Sequence, residues 1–189
     1  MTAADLLEIP EARERVQRWS VGEYERLVEQ GIFGKANELI QGLVIAKMSK
    51  SPLHFSFSLW VYELLKALVP SGFTVRHEGP LRLRDSVPEP DVAIVAGTAG
   101  DYFGQHPTTA ALVIEVAISS AALDREIAAV YAEANVAEYW ILLPRERRAE
   151  VYRVPRGGDY GEKSVIEGDT ILECRSLPGV RVPLAELFR

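Results

Sequence analysis

Apolar positions recur along this chain at two spacings, and each spacing predicts a different element. Ser20 to Glu23 (SVGE) fits a capping box in front of a helix, EYERLVEQ, that stops at Gly31. ELIQGLVIAKM predicts two short strands around a turn at Gln41-Gly42. SKSPLH is then a loop into the helix HFSFSLWVYELLKALV, which is apolar on most sides and is ended by Pro70 and Gly72. FTVRHEG and LRLR read as strands that carry polar residues, and PDVAIVAG as a buried strand. A long loop, GTAGDYFGQHPTTA, separates it from the strand ALVIEVA, the helix AALDREIAAVYAEA and the strands EYWILL and EVYRV. The tail alternates turns with short extended pieces and ends on a short helix, PLAELFR. Strands, a helix and strands again predict an α/β or α+β layer structure, one mixed sheet with helices packed on it.

Two acids interrupt the apolar runs. Successive side chains on a strand face opposite ways. By that parity Asp91 shares a face with Ala93 and Val95, and Glu115 shares one with Ala111, Val113 and Ala117. The bulkier residues Val92, Ile94, Leu112, Ile114 and Val116 fall on the other faces. If the two strands are neighbours, the carboxylates converge. Close carboxylates repel each other and resist leaving water, and a hard divalent cation such as Mg²⁺ or Mn²⁺ relieves both costs. Spacing alone leaves another reading open, in which Asp91 merely begins a strand and Glu115 pairs with an arginine or reaches solvent.

Composition narrows the class. The chain has 189 residues, about half apolar and a quarter charged, as expected of a globular domain. We divide it into an N-terminal extension over 1–18 and a single domain over 19–189. The formal net charge of −6 argues against a general nucleic-acid binder, which needs a basic face to displace counterions. It leaves room for an enzyme that meets phosphate through a metal and a few arginines. Arg76, Arg82, Arg84, Arg145, Arg147 and Arg148 are candidates for a local patch or for solvated faces. No apolar run reaches membrane-span length, the N-terminus lacks signal-peptide order, and Cys174 is the only cysteine. These features read as cytoplasmic, with no membrane partner. Cys174 reads as a buried structural thiol, the three histidines are too scattered for a zinc motif, and Trp60 and Trp140 read as core.

An ordered set of motifs carries a resemblance. ELIQG (Glu38 to Gly42), MSKSPLH, EPD, VIEVAISS, Asp124-Arg125 and YAEANVAEYWIL succeed one another here. The set resembles the Uma-two family of putative restriction endonucleases, within the PD-(D/E)XK nuclease superfamily, from about Trp19 to Arg153. The resemblance implies a restriction-endonuclease-like α/β fold, a central mixed β-sheet flanked by helices, with its core in the order helix, three strands, helix, strand. It also implies Mg²⁺ or Mn²⁺ and hydrolysis of DNA phosphodiester bonds. Position by position, Asp91 of EPD matches the superfamily aspartate, Glu115 the next acid, and Glu38 the early acid; all three would be metal ligands. His54 matches a histidine usual in the family, and it either starts the helix or acts near the phosphate.

The chain departs from the pattern in one respect that matters chemically. Superfamily members usually carry a lysine two residues after the second acid, where this chain has Ala117. Uma-two proteins tend to supply it from the next helix, where this chain offers Ala128 or Ile127 depending on the anchor counted from. No lysine occurs between Lys66 and Lys163, and Ile118 stands where a further aspartate is frequent. One residue deleted from a helix rotates the remainder of that helix by about 100°, which either the preceding loop absorbs or the helix transmits. Loss of one preorganised donor costs on the order of 10²–10³ in rate. Arg125 is the substitute nearest in sequence, although its guanidinium stabilises charge without acting as a base, and an ion pair with a neighbour is its other reading. Two functions are expected from these features: a metal-dependent endonuclease, or a non-catalytic binding or regulatory protein acting as a homodimer.

Overall fold

The computed structural model describes residues 8–34 and 36–189, so the extension expected over 1–18 lies partly outside it. Its helices are α1 (Pro10–Glu14), α2 (Val21–Glu29), α3 (Pro52–Leu68), α4 (Ala121–Glu133) and α5 (Leu184–Leu187). The first strands are β1 (Asn37–Ile40), β2 (Leu43–Ala46), β3 (Phe73–His77), β4 (Val92–Ala96) and β5 (Leu112–Val116). They are followed by β6 (Glu138–Leu143), β7 (Arg148–Arg156), β8 (Asp159–Ile166), β9 (Ile171–Glu173) and β10 (Arg181–Pro183). Six strands form the central sheet in the order β3-β4-β5-β6-β7-β8. The β5–β6 pair is parallel and the others are antiparallel, so the sheet is mixed as expected. A parallel neighbour needs a crossover, and α4 supplies it.

Local chemistry accounts for the small elements. Ser20 accepts from the Glu23 backbone while Glu23 reaches back to the Ser20 N–H, completing the capping box before α2. Gln41 and Gly42 both hold positive φ, 48° and 78°, which is what a two-residue turn needs to match strand twist. That turn sets β1 against β2, with Glu38 opposite Ile45.

The sheet buries both faces. Ala93, Val95, Val113, Tyr139 and Ile141 pack with Ala128, Tyr131 and Ala132 of α4. On the other side Val92, Ile94, Leu112, Ile114, Trp140 and Leu142 pack with Val61 and Leu65 of α3 and with the C-terminal segment from Leu172 to Phe188. The parity expected for β4 and β5 therefore holds, except that Ala111 packs on the α3 side. It precedes the first paired residue of β5, where alternation has not yet begun.

LRLR (residues 81–84) is not a strand, which corrects the sequence reading. Its backbone N–H groups go to Pro88, Pro107 and Ser86, so the segment is a closed loop with no neighbouring ladder. Prolines at 80 and 88 bracket it and remove the donors that an extended partner would use. Trp140 is core, whereas Trp60 is half-buried with the Arg189 guanidinium 3.7 Å from its ring centre. Cys174 is buried and unpaired as expected.

One buried charge ties the C-terminal segment to the sheet. Glu138, 2 % exposed, accepts from Arg153 Nε at 2.9 Å, Trp140 Nε1 at 3.2 Å and the Ser176 N–H at 2.8 Å. Removing one partner strands a charge in the interior. Arg153→Met is expected to cost about 3–5 kcal/mol in urea unfolding. Adding Glu138→Gln to that variant should recover part of the loss; further destabilisation on adding it would contradict this account.

Candidate active site

The β4–β5 register fixes the centre of the site. Val92 lies opposite Ile114, so the next position outward sets Asp91 opposite Glu115. Each strand's backbone then holds the other's acid: the Asp91 N–H donates to Glu115 Oε2 at 3.2 Å, and the Val116 N–H to Asp91 Oδ2 at 2.8 Å. Tyr131 reaches down from α4 and donates its hydroxyl to Glu115 Oε1 at 2.9 Å. Asp91 and Glu115 thus converge, as parity predicts for neighbouring strands.

Three further elements bring side chains to the same place. Glu38 of β1 accepts from the Glu89 N–H at 2.9 Å. His54, in the first turn of α3, places Nε2 3.2 Å from Asp91 Oδ2, while its own N–H is capped by Ser51 Oγ. His54 thus starts the helix and also touches Asp91. Asp124 of α4 is tied back to its helix start by Ser120 Oγ at 2.7 Å. These residues line an open cleft of about 360 Å³ together with Glu89, Lys47, Lys50 and Arg145.

The cleft is overloaded with acid. Burial raises the Glu115 pKa well above the ordinary carboxylate value, and the charges of Asp91, Asp124 and Glu38 push the same way. Burial also raises Glu38 to about 7 and Asp124 to about 6. Asp91 goes the other way. Burial works to raise it, but the His54 bond, the Lys50 ammonium and the Val116 N–H outweigh burial and hold it below its usual range. One ionised carboxylate surrounded by acids that resist ionisation is what several acids do when they share one low-dielectric site.

Arg125 is not among the residues lining this cleft. Its guanidinium donates Nε and Nη2 to the two Glu150 oxygens of β7, at 2.9 and 2.6 Å, so the ion-pair reading describes its position. Ala117 and Ala128 are buried in the core beneath α4. Asp124, Ala128 and Tyr131 are all on the buried face of α4, which is docked on the site. Three of the six arginines considered as a patch are paired with acids: Arg82 with Glu25, Arg84 with Asp85 and Glu133, Arg148 with Glu146.

Sequence reading missed Lys50. Its Nζ lies 2.9 Å from Asp91 Oδ1 and 3.0 Å from Glu78 Oε1. Burial lowers the Lys50 pKa, but Asp91 and Glu78 more than compensate and keep it protonated. The one signal in the chain was a lysine inside MSKSPLH, four residues before His54, and a search directed downstream of Glu115 passes over it. Glu78 was missed too. It sits just past β3 at φ 51°, a left-handed backbone that few side chains adopt, and its N–H donates to the Asp91 carbonyl at 3.1 Å.

The donor set is chemically suited to a hard cation, since carboxylate oxygens predominate and burial, with mutual repulsion added, raises Glu115 and Glu38. As the side chains stand, no three His, Cys, Asp or Glu residues among those described are grouped closely enough to hold one. The raised Glu38 sets a pH signature for the metal-free protein. Its stabilising contribution is full below about pH 4.5, where folded and unfolded states both hold the proton, and it is lost as pH rises through about 7. Wild type should lose about 3 kcal/mol between pH 4.5 and 8 that Glu38→Gln does not lose, read from urea midpoints at each pH. Parallel curves for the two proteins would remove Glu38 from the strained set.

Comparison with known proteins places this geometry in a family. A crystal structure of "a putative nuclease belonging to DUF820" from Anabaena variabilis ATCC 29413 aligns over 89 % of this chain and 97 % of its own, with TM-score 0.72 and 16 % identity. That likeness shows the fold, restriction-endonuclease-like as the motif order implied. No curated protein matches the chain, and no described helix is long and apolar enough to cross a membrane. The model of the Uma2 family, described as "Putative restriction endonuclease", matches residues 21–185, and with that span the chain belongs to the Uma2 family.

Proposed function

We propose that the protein is a metal-dependent endonuclease acting on DNA phosphodiester bonds, with Glu38, Asp91 and Glu115 as the ligands of Mg²⁺ or Mn²⁺. The observation that carries this is the cross-strand bracing of Asp91 and Glu115, which aims two carboxylates into one open cleft from rigid elements. Rigid backbone support is what a site needs when donors must stay close despite their repulsion. A bound divalent cation would stabilise charge on a phosphate oxygen and make a coordinated water more acidic. The protein's own groups do the rest. Tyr131 and the Asp91 N–H orient Glu115, the Glu89 N–H orients Glu38, and His54 and the Val116 N–H fix the Asp91 plane. Asp124, with its pKa raised to about 6, is placed to exchange a proton near neutral pH.

A second reading has its own support. Both Asp91 oxygens are already engaged by protein groups, and Ala117, with Ala128 or Ile127, stands where the family resemblance implies a lysine. On this reading the chain is a nuclease-fold binding or regulatory protein acting as a homodimer, with β3 and β8 as the sheet edges open to pairing.

Calorimetric Mn²⁺ titration and nicking of supercoiled DNA separate the two. The nuclease reading expects Mn²⁺ binding by wild type, its loss in Glu115→Ala, and nicking that falls to background in the same variant. Absence of Mn²⁺ binding in both proteins, with a dimer by light scattering, favours the regulatory reading instead.

A further inference from the structure

We propose that Lys50 is the cationic catalytic residue of this site, supplied by the loop before α3 in place of a lysine from β5 or α4. The inference rests on the nuclease reading above and adds a residue to it. A phosphodiester entering the cleft carries a negative charge, and the cleft is lined by Glu38, Glu89, Asp91, Glu115 and Asp124. Binding and reaction there need positive charge held at the acids rather than at the rim. Lys47 is paired with Glu89 at 2.9 Å, and Arg125 is turned away onto Glu150. Among the described residues Lys50 is the lysine whose ammonium touches Asp91, the acid at the centre of the constellation.

The geometry holds that ammonium on two sides. Asp91 anchors it at 2.9 Å from β4, and Glu78 anchors it at 3.0 Å from the end of β3. An ammonium has three N–H donors; one is hydrogen-bonded to Asp91 Oδ1, and Glu78 stands beside the ammonium as a second ion-pair partner. A further donor is available to a phosphate oxygen or to the attacking water. In the hydrolysis the water oxygen bonds to phosphorus, and the bond to one ester oxygen breaks with its electron pair staying on that oxygen. One water proton ends on the leaving alcohol, and the other on the new phosphate monoester, from which it exchanges with solvent. Extra negative charge builds on the phosphoryl oxygens between these events, and a fixed ammonium is worth most at that moment. Held between two carboxylates, the ammonium acts as donor and counter-charge, and the proton from water goes elsewhere.

The test compares wild type with Lys50→Met, Lys50→Ala and Lys50→Arg in plasmid nicking with Mn²⁺ and in Mn²⁺ calorimetry. Lys50→Met is expected to lower kcat on the order of 10²–10³ while KM changes little and Mn²⁺ binding persists. Added ethylamine should restore part of the Lys50→Ala loss in a concentration-dependent way, which a purely structural role would not allow. Lys50→Arg keeps the charge and serves as the folded control, with partial activity. Equal nicking by Lys50→Met and wild type overturns the proposal and leaves the nuclease reading standing. Loss of Mn²⁺ binding in Lys50→Met, or no amine rescue in a folded Lys50→Ala, also overturns it. A wild type that neither binds Mn²⁺ nor nicks DNA removes the nuclease reading, and this assignment falls with it.

Discussion

The antiparallel pairing of β4 with β5 is the constraint on which the site depends. It puts Asp91 and Glu115, 24 positions apart in sequence, across from each other at the open end of two buried strands. The same two backbones that pair the strands also hydrogen-bond the two carboxylates. A shift of one residue in that register would turn one acid into the α3-side core and leave the other unsupported. Everything else in the cleft arrives by docking onto this pair: α4 through Tyr131, α3 through His54, and the β1–β2 hairpin through Glu38.

The electrostatic consequence is uneven. Asp91 gathers the positive partners and stays ionised, whereas Glu115, Glu38 and Asp124 are pushed toward their neutral forms. Burial is the largest cause for each of the raised acids, and mutual repulsion adds to it. A protein gains no stability from such an arrangement. Sites that concentrate perturbed carboxylates in a cleft are where function is to be sought.

How much of this was legible in the sequence depends on the range of each interaction. The period of two is local, so the faces carrying Asp91 and Glu115 could be read from PDVAIVA and ALVIEVA alone. The capping box at Ser20 and the turn at Gln41-Gly42 are local too, and both stand where the residues put them. LRLR imitated a strand because alternation says nothing about whether a neighbouring ladder exists. Arg125 could be placed on a helix face, but its partner Glu150 lies 25 positions away on β7, behind two strand pairings that no pattern reveals. Lys50 shows the same limit more sharply. Its contact with Asp91 spans 41 positions and depends on how a loop enters α3, so nothing in the local pattern of MSKSPLH points to it.

Glu78 carries a cost that the neighbouring chemistry explains. An L-residue with a side chain prefers not to sit at φ 51°, and a non-glycine there typically forgoes on the order of 1 kcal/mol. Glycine would relieve that conformation, yet it would also delete the carboxylate that steadies Lys50 from the far side. Glycine or asparagine at this position would ease the backbone and leave the ammonium with Asp91 as its one carboxylate partner. The backbone at the end of β3 thus gives up conformational ease to keep a second carboxylate against the Lys50 ammonium.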